Sequence, residues 1–115
     1  MTYKQWRVAL WEAAIPEFHP IEWQDWLVST GQGQFWATED GAMITRIVTY
    51  PSGVKVLDPH AAAGNINAVL GELKPFIEDW ARARGCKYVR PAGREGWRKT
   101  MPDYRHHQTV LIKEL

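Results

Sequence analysis

The first apolar positions of the chain recur every three or four residues, as they do along one face of an α-helix. These positions are Trp6, Val8, Leu10, Trp11, Ala14 and Ile15. Pro16 ends this helix because proline lacks the N–H that a further turn needs. A second, short helix is expected between Pro20, a residue favoured in a first helical turn, and Gly31, a residue common at helix ends. Two helices therefore precede any strand.

From Gly33 the pattern changes to short runs of aromatic and β-branched residues. The runs cover 34–38, 42–50 and 54–57. Turn residues separate them, with Glu39, Asp40 and Gly41 after the first run and Pro51 to Gly53 after the second. Because short turns join successive strands, the three runs predict an antiparallel meander.

The longest amphipathic segment follows Asn65, a residue favoured at helix N-caps. Its apolar stripe consists of Ile66, Val69, Leu70, Leu73, Phe76, Ile77 and Trp80. Gly85 marks the end of the helix, and Pro75 predicts a bend inside it, not a break. We expect this stripe, including Trp80, to be buried against the sheet.

After Gly85 the pattern predicts a strand over 86–90, one or two helical turns over 93–100 and an alternating final strand over 109–113. The expected order is α-α-β-β-β-α-β-(short α)-β. A meander followed by a long helix and further strands is typical of an α+β fold, with helices flanking a mostly antiparallel sheet. Residues 1–115 are therefore interpreted as a single domain.

Composition agrees with an ordinary globular protein, with 45% hydrophobic residues and seven Trp among 115 residues. Cys86 is the only cysteine, so a disulfide scaffold is excluded and a cytoplasmic location is expected. No window approaches the roughly 18 consecutive apolar residues that cross a bilayer, so no membrane association is expected.

The net charge of +1 hides an uneven distribution. Residues 1–81 carry five basic and ten acidic side chains, whereas residues 82–107 carry eight basic and two acidic ones. Cations interleaved with aromatic residues can form a surface for a partner or for a nucleic acid. The candidate residues are Arg90, Arg94, Arg98, Lys99 and Arg105. Because the pI is only about 7.9, nucleic-acid binding is expected to be weak, and a solvated face is the simpler interpretation.

Other chemistry has less support in the sequence. The four histidines show no close helical pair, and the adjacent His106 and His107 would point to opposite faces of an extended segment, so no metal site is expected. Cys86 fits a small core residue better than a nucleophile. No acidic residue has a spacing that indicates catalysis, and the catalytic residues stay unknown.

Several strings, together with the order of elements, carry a resemblance to a known family. They are Val54–Leu57 leading into Ala62–Asn65, Trp80–Cys86, Gly93–Trp97, and Pro102–Arg105 before Val110–Leu115. From about Phe35 onward the chain resembles the GNAT (Gcn5-related N-acetyltransferase) fold, and within it the small GNAT-like proteins of bacteriophages and prophages. The resemblance implies a viral protein in the bacterial host cytoplasm or in the virion.

The resemblance also implies where coenzyme A would bind. Acetyltransferases of this fold hold its pyrophosphate on backbone N–H groups of a glycine-rich loop at a helix N-terminus. That place corresponds here to residues 59–65, where neither possible register matches the family pattern. The implied cofactor-binding residues are His60, Ala62, Ala63, Gly64 and Asn65. Free N–H groups from Ala63 to Asn65 are still expected to attract an anion weakly, with help from a protonated His60.

Many family members use a tyrosine to protonate the departing thiolate. Aligning Tyr104 with an aromatic residue of the family places Lys99 where that tyrosine would stand. The resemblance therefore implies a degenerate acetyl-CoA site without a resident cofactor, in a binding or assembly module with a protein partner or a second copy of itself. The alternatives are an active acetyl-CoA-dependent N-acetyltransferase with an atypical pyrophosphate loop, and a weak nucleic-acid binder.

Overall fold

A computed structural model describes residues 2–92 and 101–115. Its elements are α1 (Tyr3–Ala13), α2 (Ile21–Thr30), β1 (Gly33–Ala37), β2 (Gly41–Thr49), β3 (Lys55–Gly64), α3 (Ile66–Ala83) and β4 (Cys86–Val89). The expected α+β class is confirmed, with helices flanking a mostly antiparallel sheet. The helical turns expected over 93–100 lie outside the described residues.

The sheet has four strands in the order β1-β2-β3-β4. The first three form the predicted antiparallel meander, whereas β4 lies parallel to β3. The parallel pair follows from α3, because a helical crossover returns the chain to the end of the sheet where β3 began.

The two faces of the sheet carry separate hydrophobic clusters. Helices α1 and α2 cover one face, whose buried residues are Leu10, Ala14, Ala42, Ile44, Ala61 and Ala63. Helix α3 covers the other face, whose buried residues are Met43, Leu57, Val69, Ile77 and Ala81. Alternate residues of β2 and β3 thus contribute to opposite clusters, as the period of a strand requires.

A polar network joins α1 to α2. The Arg7 guanidinium donates to both carboxylate oxygens of Asp25 at 2.8 Å, and the Tyr3 hydroxyl donates to the same carboxylate at 2.6 Å. The hydrogen bond from Arg7 lowers the pKa of Asp25. The buried Gln24 amide donates to the Arg7 carbonyl at 2.9 Å. These bonds fix the angle between the two helices because they are directional.

Helix α3 confirms its predicted cap, since the Asn65 side chain accepts from the Ala68 N–H at 3.2 Å, and it continues through Pro75. The expected burial of its whole stripe is wrong in part. Phe76 is 67% exposed, and Trp80 is half-buried, with its ring edge-on to Trp36 at 5.8 Å. The apolar stripe is wider than the surface that the sheet offers to the helix.

Strand β3 is longer than the expected run over 54–57 and includes most of the segment interpreted as a loop. Pairing with β2 continues to its far end, where Gly41 lies opposite Gly64. Ile44 pairs with Ala61 and Thr45 with Pro59, which leaves His60 as the additional residue of a β-bulge. The extension depends on a partner strand and therefore leaves no local signal in the sequence.

The final strand expected over 109–113 is wrong for this structure. These residues make no strand pairing among the described residues, and Leu111 is 88% exposed. Val110, Leu111 and Ile112 are consecutive aliphatic residues, so the expected alternation is itself absent, and a strand also needs a neighbour that accepts its hydrogen bonds.

The backbone conformation and close contacts of Gly64 leave no room for a side chain. Its φ is +80°, and a Cβ there would lie 2.4 Å from the Asp40 carbonyl oxygen. We expect Gly64→Ala to lower the free energy of unfolding by about 1–3 kcal/mol or more, because strain and collision add. Chemical denaturation followed by circular dichroism measures this loss.

Gly71→Ala is the matched control. Gly71 lies inside α3, and a Cβ there meets nothing within 4 Å. Alanine is the better helix former, so we expect this variant to gain about 0.5–1 kcal/mol. Equal effects of the two substitutions would contradict the assigned role of Gly64.

Candidate functional site

The parallel strands β3 and β4 separate soon after they begin. They pair only from Lys55 opposite Cys86 to Leu57 opposite Val89, and the Arg90 N–H donates to the Leu57 carbonyl at 2.8 Å. Beyond Leu57, β3 continues to Gly64 with no strand on that side within residues 2–92 and 101–115. An opening therefore lies between the end of β4 and the second half of β3.

Pro59 suits this opening. Because N–H and C=O groups alternate between the two edges of a strand, Pro59 faces the same edge as Leu57, where β4 no longer pairs. Its missing N–H therefore costs no ladder hydrogen bond.

The opening leads into an apolar cleft beneath α3, with about 480 Å³ of space including its mouth. Its apolar lining is Met43, Pro59, Ile66, Val69, Leu70, Ile77, Val89, Pro91 and Met101. Its polar lining is Lys74, Glu78 and Tyr104. Apolar side chains thus predominate in the lining, with few polar groups among them.

The polar side chains of the cleft bind one another. The Tyr104 hydroxyl donates to Glu78 Oε2 at 2.6 Å. The Lys74 ammonium donates to Asp103 at 2.8 Å and lies 5.0 Å from the centre of the Tyr104 ring. Burial raises the pKa of Tyr104 far above its usual range, and the hydrogen bond to Glu78 raises it further. Tyr104 is therefore a neutral donor at physiological pH, with its proton committed to a carboxylate.

At the mouth of the cleft, the backbone donors around the start of α3 are largely occupied. The Asn65 N–H donates to the Asp40 carbonyl at 2.8 Å, and the Ala68 N–H donates to the Asn65 side chain. The Val69 N–H makes the first helical bond, to the Asn65 carbonyl. At most the N–H groups of Ile66 and Asn67 remain for a ligand in this first turn.

The structure distributes the five predicted cofactor residues over two faces. Ala62 packs with the cluster under α3, and Asn65 caps α3 itself. Ala63 belongs to the cluster under α1, and a Cβ on Gly64 would meet Trp6 of α1 at 2.9 Å. His60 also lies on the face covered by the first two helices, as its contacts show. These five residues therefore do not form one continuous surface, and whether any of them binds a cofactor stays a prediction.

His60 belongs to an aromatic cluster beside α2. Its ring centre lies 4.8 Å from that of His19 and 5.2 Å from that of Trp23. Arg46 lies over the Trp23 ring at 5.6 Å and pairs with Asp58 at 3.0 Å. His60 Nε2 is buried without a partner among the described residues. Burial, with a smaller effect of His19, lowers the pKa of His60 to about 4.

This environment bears on the expected help of His60 in anion binding. At neutral pH the imidazole is uncharged, since its pKa of about 4 lies well below 7. The helix N-terminus then lacks that additional positive charge. Neither His60 nor its positive charge is then available, and the described donors for an anion at this position are backbone N–H groups.

The candidate basic surface is described only in part. Arg90 donates to the Tyr50 hydroxyl, and Arg105 is exposed. Arg94, Arg98 and Lys99 lie outside the described residues. Arg84 and Lys87 nearby rest on the rings of Trp80 and Tyr88, at 4.0 and 5.5 Å from the ring centres.

Within residues 2–92 and 101–115, no group of three or more His, Cys, Asp and Glu side chains could hold a metal ion. None of the helices described combines the length and the apolar character needed to cross a bilayer.

Sequence reasoning missed the pairing of Tyr104 with Glu78 and the buried Met101 beside it. The two paired residues are separated by 26 positions in the chain. Glu78 lies between the apolar positions of α3, where a solvated carboxylate is the usual expectation. No local pattern indicates such a contact.

Comparison with solved structures places this architecture among known folds. The chain is similar to TTHA1254 from Thermus thermophilus, with a TM-score of 0.63 and 13% identity over 100% of this chain and 93% of that one. A mutant form of that protein gives a TM-score of 0.64. The element order and the sheet topology are consistent with a GNAT-like fold.

A third structure, an acetyltransferase from Trypanosoma brucei, aligns over 66% of this chain and 59% of its own. Its TM-score of 0.48 at 19% identity supports no argument about this chain. No protein-family model and no curated protein matches the sequence. The comparisons therefore establish the fold and leave the activity to the site itself.

The buried His60 predicts an acid-sensitive stability. In the unfolded chain its pKa returns to 6.5, whereas in the folded protein it is about 4. The unfolded state thus binds more protons between these values, so the free energy of unfolding falls as the pH drops from 6.5 to 4. Urea unfolding at several pH values measures this slope.

His60→Phe keeps an aromatic ring in the cluster and removes the titrating group, so the slope between pH 6.5 and 4 should become smaller. His107→Phe, at an exposed position, is the matched control and should keep the slope. An unchanged slope in His60→Phe would show that another group is responsible.

Proposed function

We propose that this protein is a GNAT-like binding or assembly module whose cleft does not carry out acetyl transfer. The observation that supports this proposal best is the hydrogen bond from the Asn65 N–H to the Asp40 carbonyl, at 2.8 Å. It commits a backbone donor at the position where the resemblance implies a pyrophosphate. It also places a carbonyl oxygen, which repels phosphate oxygens, beside that position.

The remaining donors are too few for tight binding of coenzyme A. A charge at an exposed helix N-terminus contributes typically about 0.3–1 kcal/mol. Micromolar binding needs about 8 kcal/mol. Among the described donors of this first turn only the N–H groups of Ile66 and Asn67 are free, so most of the binding free energy would have to come from other contacts.

The described polar groups of the cleft are better placed to stabilise the fold than to transfer an acyl group. Acyl transfer to an amine needs a base for the amine proton and an acid for the departing thiolate. The pKa of Tyr104 is raised well above its usual range, so its hydroxyl is a poorer acid than an ordinary tyrosine. Glu78 already accepts that hydroxyl proton in a hydrogen bond at 2.6 Å.

The apolar lining itself supports a binding role. Met43, Val69, Leu70 and Ile77 present aliphatic surface. The polar side chains Lys74 and Glu78 each contact Tyr104. Such a surface suits the aliphatic side chains of a partner protein. The resemblance to phage and prophage proteins supports a partner in the virion or in the host cytoplasm.

The decisive experiment measures acetyl-CoA binding by calorimetry and thiol release with a panel of amines. We expect a Kd above about 1 mM, equivalent to less than about 4 kcal/mol of binding free energy, and no thiol release. Submillimolar binding together with thiol release would establish the acetyltransferase instead.

A double substitution, Ala62→Gly with Ala63→Gly, tests whether the alanine side chains near the start of α3 are what prevents acetyl-CoA from binding. We expect no gain in acetyl-CoA affinity, since the Asn65 N–H still donates to the Asp40 carbonyl. Tyr104→Phe is a matched variant that removes a hydroxyl from the cleft and leaves the backbone unchanged. If the protein were an enzyme that used this hydroxyl, Tyr104→Phe would lower its kcat. A binding module has no acetyl transfer for either variant to slow.

One observation favours the alternative of an active N-acetyltransferase. The separation of β3 from β4 beyond Leu57 leaves an unpaired strand edge beside the N-terminus of α3. A cofactor arm could occupy that edge.

Nucleic-acid binding has less support, because the cations Arg84, Lys87 and Arg90 already lie against aromatic rings of this chain.

A further inference from the structure

The last residues of the chain expose an unusual amount of aliphatic surface. Val110 is 75% exposed, Leu111 88%, Ile112 81% and Leu115 111%. Single exposed aliphatic side chains are common, but a contiguous run of this kind marks an interaction segment. The run lacks Gly and Pro, and its β-branched residues Thr109, Val110 and Ile112 favour extended structure.

The sheet ends in an edge that matches this segment. Strand β4 (Cys86–Val89) pairs with β3 on one side. On its outer side, no strand pairs with it in the part of the chain that the structure describes, residues 2–92 and 101–115. An open edge presents a row of backbone N–H and C=O groups that can pair with another strand.

The edge and the segment fit each other in length and charge. Strand β4 has four residues, and the run over 109–113 is one residue longer. Antiparallel pairing would bring Glu114 toward the start of β4, where Arg82, Arg84 and Lys87 are exposed. By alternation Lys113 then lies on the opposite face from Glu114.

The position of the segment indicates which copy it pairs with. Tyr104 is held against α3 by its hydrogen bond to Glu78. Residues 105–115 are exposed and do not pair with β4 of their own chain in the described structure. Both the open edge and the unpaired segment therefore await a partner, and a second copy of this chain supplies both at once.

We propose that residues 109–113 of each chain add as an antiparallel strand to the outer edge of β4 in a second copy, so that two chains form a reciprocal, strand-exchanged dimer. A two-fold arrangement satisfies both edges and both segments with no surface left over for a third copy. It also buries the aliphatic side chains of residues 110–112.

Light scattering after size-exclusion chromatography tests the association. We expect a mass of about twice 13.3 kDa for the full chain at tens of micromolar, and a monomer after deletion of residues 109–115. Ile112→Pro, which removes an N–H from the added strand, should weaken the dimer. Ile112→Val is the matched control and should keep it. Circular dichroism confirms that each variant is folded.

Cys86, the only cysteine and a residue of β4, allows a direct test of the pairing. Val110→Cys, Leu111→Cys and Ile112→Cys sample both faces of the added strand. After mild oxidation, at least one variant should give a disulfide-linked dimer on non-reducing gels. The same variants with Cys86→Ser should not.

Each other outcome overturns the proposal. A monomeric mass with an intramolecular disulfide means that the segment pairs with β4 of its own chain. A monomeric mass with no disulfide means that the segment has no partner. A dimer that survives deletion of residues 109–115 means that a different surface joins the copies. These outcomes do not depend on acetyl-CoA, so they are independent of the proposed function.

Discussion

The close contact between Gly41 and Gly64 is the constraint on which the rest of the structure depends. A Cβ on Gly64 would lie 2.4 Å from the Asp40 carbonyl oxygen and 2.9 Å from Trp6 of α1. A Cβ on Gly41 would lie 2.5 Å from Val69 of α3. Helices from both faces therefore pack against the same pair of glycines. This contact keeps β3 paired with β2 to its end and sets the point where α3 begins.

The same contact determines what the start of α3 can bind. With β3 held against the turn before β2, the Asn65 N–H meets the Asp40 carbonyl. The donor that an anion would use becomes part of the fold. On the opposite side of the cleft, Tyr104 and Glu78 satisfy each other in the same way. The cleft thus keeps its apolar surface while its polar groups serve the structure, which is the physical basis for proposing binding over transfer.

The opposite end of the sheet is less complete. Strand β4 is short, pairs with only the first residues of β3 and leaves its outer edge open in the described residues. The exposed aliphatic run at the end of the chain has residues that favour a strand, but no strand in the described structure pairs with it. Both features are costly for an isolated chain, because unpaired edges and exposed aliphatic surface favour association. The proposed pairing between copies would remove both costs together.

The sequence by itself determined α1, α2, the β1–β2 hairpin, α3 and β4, because helical periodicity, the Asn65 cap and turn residues such as Gly41 act over a few positions. These elements were enough to predict the α+β class and to select the segment around Asn65. Only the tertiary structure decided the length of β3, the bulge at His60 and the exposure of Phe76. It alone also paired Tyr104 with Glu78 and left residues 109–113 without a strand partner in the described chain. Each of these depends on a contact between residues distant in the chain, and the energy of such a contact has no trace in the local order of side chains.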